Sequence, residues 1–198
     1  MDLIKHNLLE GETIIWEGRC APFSMMEKPY DKSIKLTWLI CALIMVGIAV
    51  VYVPVTLANG IPVGKMLLYY AVIISIPVFI CIRPFCDCSV LRKKSVYAVT
   101  NYRVLSTGQG SLLSLFIEED TELRVDYAEN GTGTIFIGEA CEYRNTHARR
   151  LALAGVRDEE EGIHRPLTGL AFYLVEEPAY VCECIRGIRG QSDRKSKA

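Results

Sequence analysis

Histidine is scarce in this sequence: His6, His147 and His164 are the only three, and none stands in HExxH or any other ligand spacing. That removes the commonest general base and metal ligand from most catalytic arrangements. A glycine-rich loop ending in Lys-Ser/Thr is absent as well, so "NGTGTIFIG" reads as a β-hairpin rather than a phosphate loop. No Ser/His/Asp or Cys/His grouping stands out. There is no excess of basic residues over the C-terminal half: residues 95–198 carry twelve Lys/Arg against sixteen Asp/Glu. A nucleic-acid-binding surface, which needs a basic patch or stripe, is therefore not expected. The N-terminus lacks the pattern of a secretory signal peptide, since the first apolar run begins near residue 36 behind charges of both signs.

Charge is missing most conspicuously from two stretches, Leu36 to Gly64 and Met66 to Ile82. Mean hydropathy is +0.22, high for a chain of this length. "LTWLICALIMVGIAVVYVPVTLA", residues 36–58, has 23 residues without a charge, enough for a helix to cross a hydrocarbon core of about 30 Å with some tilt. "MLLYYAVIISIPVFICI", residues 66–82, has 17, and Lys65 can extend its ammonium to the interface. The short connection "NGIPVGK" has turn chemistry, so 36–82 is read as a two-helix transmembrane hairpin. Lys28, Lys32 and Lys35 precede it, Arg83, Arg92, Lys93 and Lys94 follow it, and the loop carries only Lys65. The positive-inside rule then puts both termini in the cytoplasm of a multi-pass protein of the cell inner (plasma) membrane.

Eight cysteines are present: Cys20, Cys41, Cys81, Cys86, Cys88, Cys141, Cys182 and Cys184. Two lie inside apolar runs, and the set is read as reduced and structural. "CDC" and "CEC" could together offer four thiolates, but their spacing is not that of a zinc knuckle, and Cys182 and Cys184 would point about 200° apart on one helix. No metal or other cofactor is expected. The juxtamembrane pair Cys86 and Cys88 offers a second option, reversible S-acylation.

Around the hairpin the pattern turns to β. Residues 1–35 form an N-terminal segment with a first strand inside 10–19, and "VYAVT", "RVLST", "LLSLFI", "TELRVDYA", "TIFIG" and "LTGLAFYLV" follow the spans. Residues 141–162, with the acidic run "DEEE", are weakly patterned and read as a long mobile loop with one short element. "EEDTE" reads as a solvated loop. Pro178 suits a first helical residue, and Tyr180, Val181, Cys184, Ile185 and Ile188 recur at helical spacing behind it. The fold class expected is a membrane-anchored α+β protein: the hairpin plus an antiparallel β-barrel or sandwich over 83–190, capped by a C-terminal α-helix and trailed by a basic polar tail, 191–198.

"GETIIWEGR" before a membrane hairpin, "YAVTNYRVLS" after it, a "GTGTIFIG" hairpin and a final "FYLVEEPAYVCECI" together resemble the bacterial pleckstrin-homology-like (PH-like) membrane protein family. The resemblance covers about three-quarters of the chain and is weakest over 141–162. It implies a small β-barrel with the hairpin inserted after its first strand, and a motif of Tyr97, Thr100, Asn101 and Arg103 whose role is mainly structural. Arg92, Lys93, Lys94, Arg186 and Arg189 are candidate contacts for anionic lipid, each worth about 1 kcal/mol near a charged leaflet. The function expected is a non-enzymatic binding or scaffold module that recruits protein partners or copies of itself. A lipid-sensing or lipid-handling protein is the alternative, and a membrane enzyme the third reading.

Overall fold

Two uncharged runs separated by a glycine turn can satisfy their backbone within each segment only as helices. The structure, a computed structural model, describes residues 2–108, 110–128, 130–158 and 166–196, the last eight as backbone. Helix α1 is a single turn, Asp2–Lys5, and strand β1 is Ile14–Arg19. The two long helices are α2, Tyr30–Ala58, and α3, Val63–Lys93. Both are long and apolar enough to cross a membrane, and only 6% of each apolar window is buried. Their outward side chains, such as Val50, Val72 and Phe79, are exposed. The α3 helix continues eleven residues beyond the apolar run, because Pro84 is accommodated inside it and nothing in "CDCSVLRK" breaks it.

The chain divides into two compact units, Ser24–Cys86 and Met1–Phe23 with Asp87–Ala198. In the first, pairing runs antiparallel. Trp38 stacks on Phe85 with centroids 5.7 Å apart, Tyr52 stacks on Tyr70 at 6.2 Å, and the turn closes through Ile61 N–H donating to the Thr56 carbonyl. The Tyr70 hydroxyl donates to the Met45 carbonyl at 3.1 Å and the Tyr52 hydroxyl to the Met66 carbonyl at 3.4 Å, so both tyrosines carry a satisfied polar tip between the helices.

The second unit holds two four-stranded antiparallel sheets. Strand β1 pairs with β2 (Val96–Thr100), β2 with β3 (Arg103–Gly108) and β3 with β4 (Ser111–Phe116). The second sheet runs β5 (Leu123–Tyr127), β6 (Gly133–Gly138), β8 (Leu167–Val175), β7 (Val156–Arg157). Among the described residues the sheets do not close into a barrel, because the turn 117–122 carries the chain away from β4 before β5 begins and no ladder joins the two. Tyr97, Val99, Val104, Leu113 and Leu115 of the first sheet meet Ile135, Ile137, Leu170 and Phe172 of the second. "VYAVT" lacks the apolar-polar alternation of a half-exposed strand because its other face is covered too. Val96, Ala98 and Leu105 pack there under Ile4 of α1 and Leu8.

Residues 139–157 are ordered elements, not a loop with one short element. Two 3₁₀ turns, Glu139–Glu142 and Asn145–His147, lead to α4, Ala148–Ala154, and then to β7. Leu151, Ala152 and Leu153 are buried on α4, whose contacts are with β8 and β3. A seven-residue helix is too short to show a helical period in sequence, which is why only packing reveals it. Gly169 has no space for a Cβ, since the backbone of Glu139 lies 3.1 Å from that position, so the 3₁₀ turn can sit directly on β8. The three glutamates of the acidic run "DEEE", residues 159–161, together with His164, lie outside the described residues.

Helix α5, Pro178–Ser196, begins at the expected proline. Its buried stripe is Val181, Cys182, Ile185 and Ile188, whereas Tyr180 is half exposed and Cys184 only packs at the margin. The apolar stripe is thus centred one position away from the sequence reading, and the Tyr180 ring stays in water. One corner between the sheets is bridged: Ala21 N–H donates to the Leu174 carbonyl at 2.8 Å, joining the end of β1 to β8. Leu174 sits at φ +45 beside a register shift in the β6–β8 ladder, a bulge that bends β8 toward β1.

Candidate functional site

Three of the four motif residues, Tyr97, Thr100 and Arg103, are buried, and Asn101 is half-buried. Tyr97 is fully buried, stacks on Phe172 with centroids 4.8 Å apart, and accepts a hydrogen bond from Tyr173 N–H at 3.3 Å. Burial pushes its phenol well above the ordinary range. Arg103 donates from Nε to Glu12 Oε1 and from Nη2 to Glu12 Oε2, both at 2.9 Å, a two-pronged pair with side chains 9% and 0% exposed. Two more guanidinium protons go to Ser114 Oγ at 3.0 Å and the Asn7 carbonyl at 2.8 Å. Thr100 Oγ1 donates to Glu12 Oε1 at 2.7 Å and accepts from Arg103 N–H. Asn101 Oδ1 accepts from Thr13 N–H at 2.9 Å while its amide donates to the Gly11 carbonyl. Together these contacts fasten segment 7–13 onto the β2–β3 corner.

Burial alone would push the Glu12 carboxyl up. The hydrogen bonds from Arg103, Leu9 N–H and Thr100, together with the guanidinium charge, outweigh it and hold the carboxyl below the ordinary glutamate range. The sequence reading missed Glu12 entirely. It lies 91 residues from its arginine with the hairpin between them, and nothing local marks it.

The basic candidates are not brought together as a set. Arg92, Lys93 and Lys94 sit exposed at the end of α3. Arg92 also lies over the Phe23 ring at 5.0 Å and donates to the Phe23 carbonyl. Arg149 of α4, which the sequence reading did not single out, lies over the same ring at 4.9 Å. It is buried, with Nε donating to the Tyr173 hydroxyl at 3.0 Å and Nη1 to Cys88 Sγ at 3.3 Å. Arg186 is exposed on α5 and lines a shallow recess of about 470 Å³ that also includes Asp120, Glu122 and Arg124. The side chain of Arg189 and the tail side chains from residue 191 lie outside the described residues.

Among the described residues no three His, Cys, Asp or Glu side chains come together as a metal-binding group. The cysteines are divided by environment: Cys88, Cys141 and Cys182 are buried, and Cys86 is exposed. Burial pushes the thiols of Cys141 and Cys182 up, which leaves little thiolate for reaction.

A further recess is the unbridged corner between β4 and β5. Its volume is about 810 Å³. Glu118, Asp120, Glu122, Glu139 and Glu142 line it, and no Lys, Arg or His does among the described residues. Leu115, Phe116 and Leu167 supply its apolar part, with Phe116 more than half exposed. The turn that carries the first carboxylates is fixed by Thr121, whose hydroxyl accepts from Glu118 N–H at 2.8 Å. Gly138 closes the floor at φ +64, and Glu139 is held by Thr168 Oγ1 at 2.5 Å. Comparison with protein-family models, with curated proteins and with solved structures yields no match. Function is therefore argued from this geometry.

Proposed function

We propose that this is a non-enzymatic, membrane-anchored binding and assembly module of PH-like architecture. It presents its two-sheet unit on the cytoplasmic face of the plasma membrane and recruits a protein partner there or assembles with other copies of itself. The observation that carries this reading is the filled interior. Tyr97, Phe136, Phe172 and Ile185 are fully buried between and around the sheets, while the described recesses are surface clefts with charged linings. Lipid handling would require an enclosed apolar cavity, and an anionic headgroup would meet five carboxylates at the β4–β5 cleft. The resemblance in sequence order and the two antiparallel sheets with a final helix support the PH-like assignment. The anchor is the helix pair, long and apolar enough to span.

A photo-crosslinking amino acid at Thr121, which lines both the acidic cleft and the recess beside Arg186, tests the partner reading in living cells. Discrete protein adducts are expected. Adducts whose mass corresponds to lipid alone would replace this reading with lipid handling.

The orientation rests on seven Lys/Arg flanking the outer ends of the hairpin against one in its loop. With Cys86 changed to serine, a cysteine introduced at Asn59 is expected to react with an impermeant maleimide on intact cells, and one at Ser192 is not. The reverse labelling would invert the topology.

A further inference from the structure

We infer that the open corner receives an extended lysine- or arginine-rich segment of a partner protein, added as a strand along β4. This rests on the binding-module reading above and names the chemistry of the partner.

The four sheet edges are not equivalent. The β1 edge carries a register shift between Ile14 and Trp16, and β7 is two residues long with a shift of its own. The β5 edge carries Arg124 and Asp126, which pair at 3.4 Å. Bulges, shortness and charge are the devices by which proteins keep strand edges from pairing with other chains. The β4 edge has none of them. "SLLSLF" contains no proline and no charge, and its ladder to β3 runs through six consecutive pairs from Gly108↔Ser111 to Arg103↔Phe116 without a shift. Its other side ends the sheet. A regular, uncharged, one-sided strand is a template for another strand, and its second half, Ser114–Phe116, lines the cleft.

Charge selects the occupant. Cations on every second residue of an added strand would face the carboxylates of 118–122 and 139–142, while the alternate residues would lie on the face of Leu115 and Leu167. A second copy pairing β4 to β4 would bring two acidic corners together, so like charge disfavours it. Six residues of strand extend about 20 Å, which sets the segment's length at roughly six residues.

The test uses the full chain in nanodiscs and fluorescent six-residue peptides. A Lys-Val repeat is expected to bind, and to weaken as salt is raised. A Glu-Val repeat is expected not to bind. The Lys-Val peptide N-methylated at alternate amides on its pairing edge keeps its charge but cannot pair, and should bind about tenfold more weakly or worse. Glu118→Lys combined with Glu122→Lys should weaken the unmodified peptide by at least about tenfold, both side chains being exposed. Asp120→Lys alone should weaken it less. Equal binding of the N-methylated peptide would overturn strand addition. Unchanged binding to the charge-reversed variants would overturn the site. Protein adducts at Thr121 without any binding of the Lys-Val peptide would sink this inference while leaving the module reading intact, whereas lipid adducts alone would sink both.

Discussion

Arg103→Met is expected to destabilise the two-sheet unit by about 3–5 kcal/mol, enough to unfold it in part at ambient temperature if its total stability is in the usual range of about 5–15 kcal/mol. The cost comes from what remains. Glu12 would keep a charge in a site with no exposed side-chain surface and only the Leu9 amide and the Thr100 hydroxyl as donors. Ser114 and the Asn7 carbonyl would lose their partner as well. Replacing both ions, Arg103→Met with Glu12→Leu, should recover much of the loss, because the penalty belongs to the stranded charge rather than to the absence of a salt bridge. The signal to follow is the fluorescence of Trp16, which stacks on Phe172 at 6.1 Å inside this unit. An unchanged melting curve for the single variant would mean that the pair is not buried as described.

The same pair sets a pH dependence. The Glu12 carboxyl titrates below its ordinary value in the folded chain, so the folded state binds its proton less readily than the unfolded one. Its stabilisation is therefore complete above the unfolded pKa, about 4.3, and is lost as pH falls through the lower folded value. The wild type should lose stability in that acid window more steeply than the double variant, which lacks the group. Parallel pH profiles would remove Glu12 from the account.

The elements with strong local signals were legible in the sequence. "LTGLAFYLV" is β8 residue for residue, and the glycines around "TIFI" mark the β5–β6 hairpin. The Thr100–Arg103 corner could be seen, but its meaning could not. The hydrogen-bond partners of that corner come from residues 7–13, and only the fold brings them across the hairpin. The cleft was hidden for a different reason. "EEDTE" has the composition of any solvated turn, and it becomes part of a site only because β4 and β5 fail to pair and the 3₁₀ turn at 139–142 adds two more carboxylates. That turn sits where it does because Gly169 leaves room for backbone against backbone, an effect with no period to read. Charge and edge are both local facts, but their coincidence is tertiary.

The combined variant Val181→Ala, Ile185→Ala should loosen the unit even more than loss of Arg103. Both side chains are completely buried, on the face of α5 that also holds Cys182 and Ile188 and packs into the core with Phe172 and Val175. Truncating a buried aliphatic side chain to alanine removes its transfer free energy and leaves a cavity; isoleucine alone costs about 2–5 kcal/mol, and valine loses two methyl groups more. The two positions are one helical turn apart and open a single void, so their costs are not independent and the cavity can collapse in part. Even so, the sum approaches the whole stability of an ordinary domain. Arg186→Gln on the exposed side of the same helix is the control, expected to change stability by less than about 0.5 kcal/mol. Limited proteolysis of the solubilised full chain, following cuts between Ser95 and Gly190, separates the cases. Rapid cleavage of the double variant with wild-type resistance in Arg186→Gln places α5 in the core. Resistance in both would make α5 a surface helix, and the two sheets would then have to hold together through their own facing residues, Tyr97, Val99, Val104, Leu113 and Leu115 against Ile135, Ile137, Leu170 and Phe172, and the Ala21–Leu174 bridge.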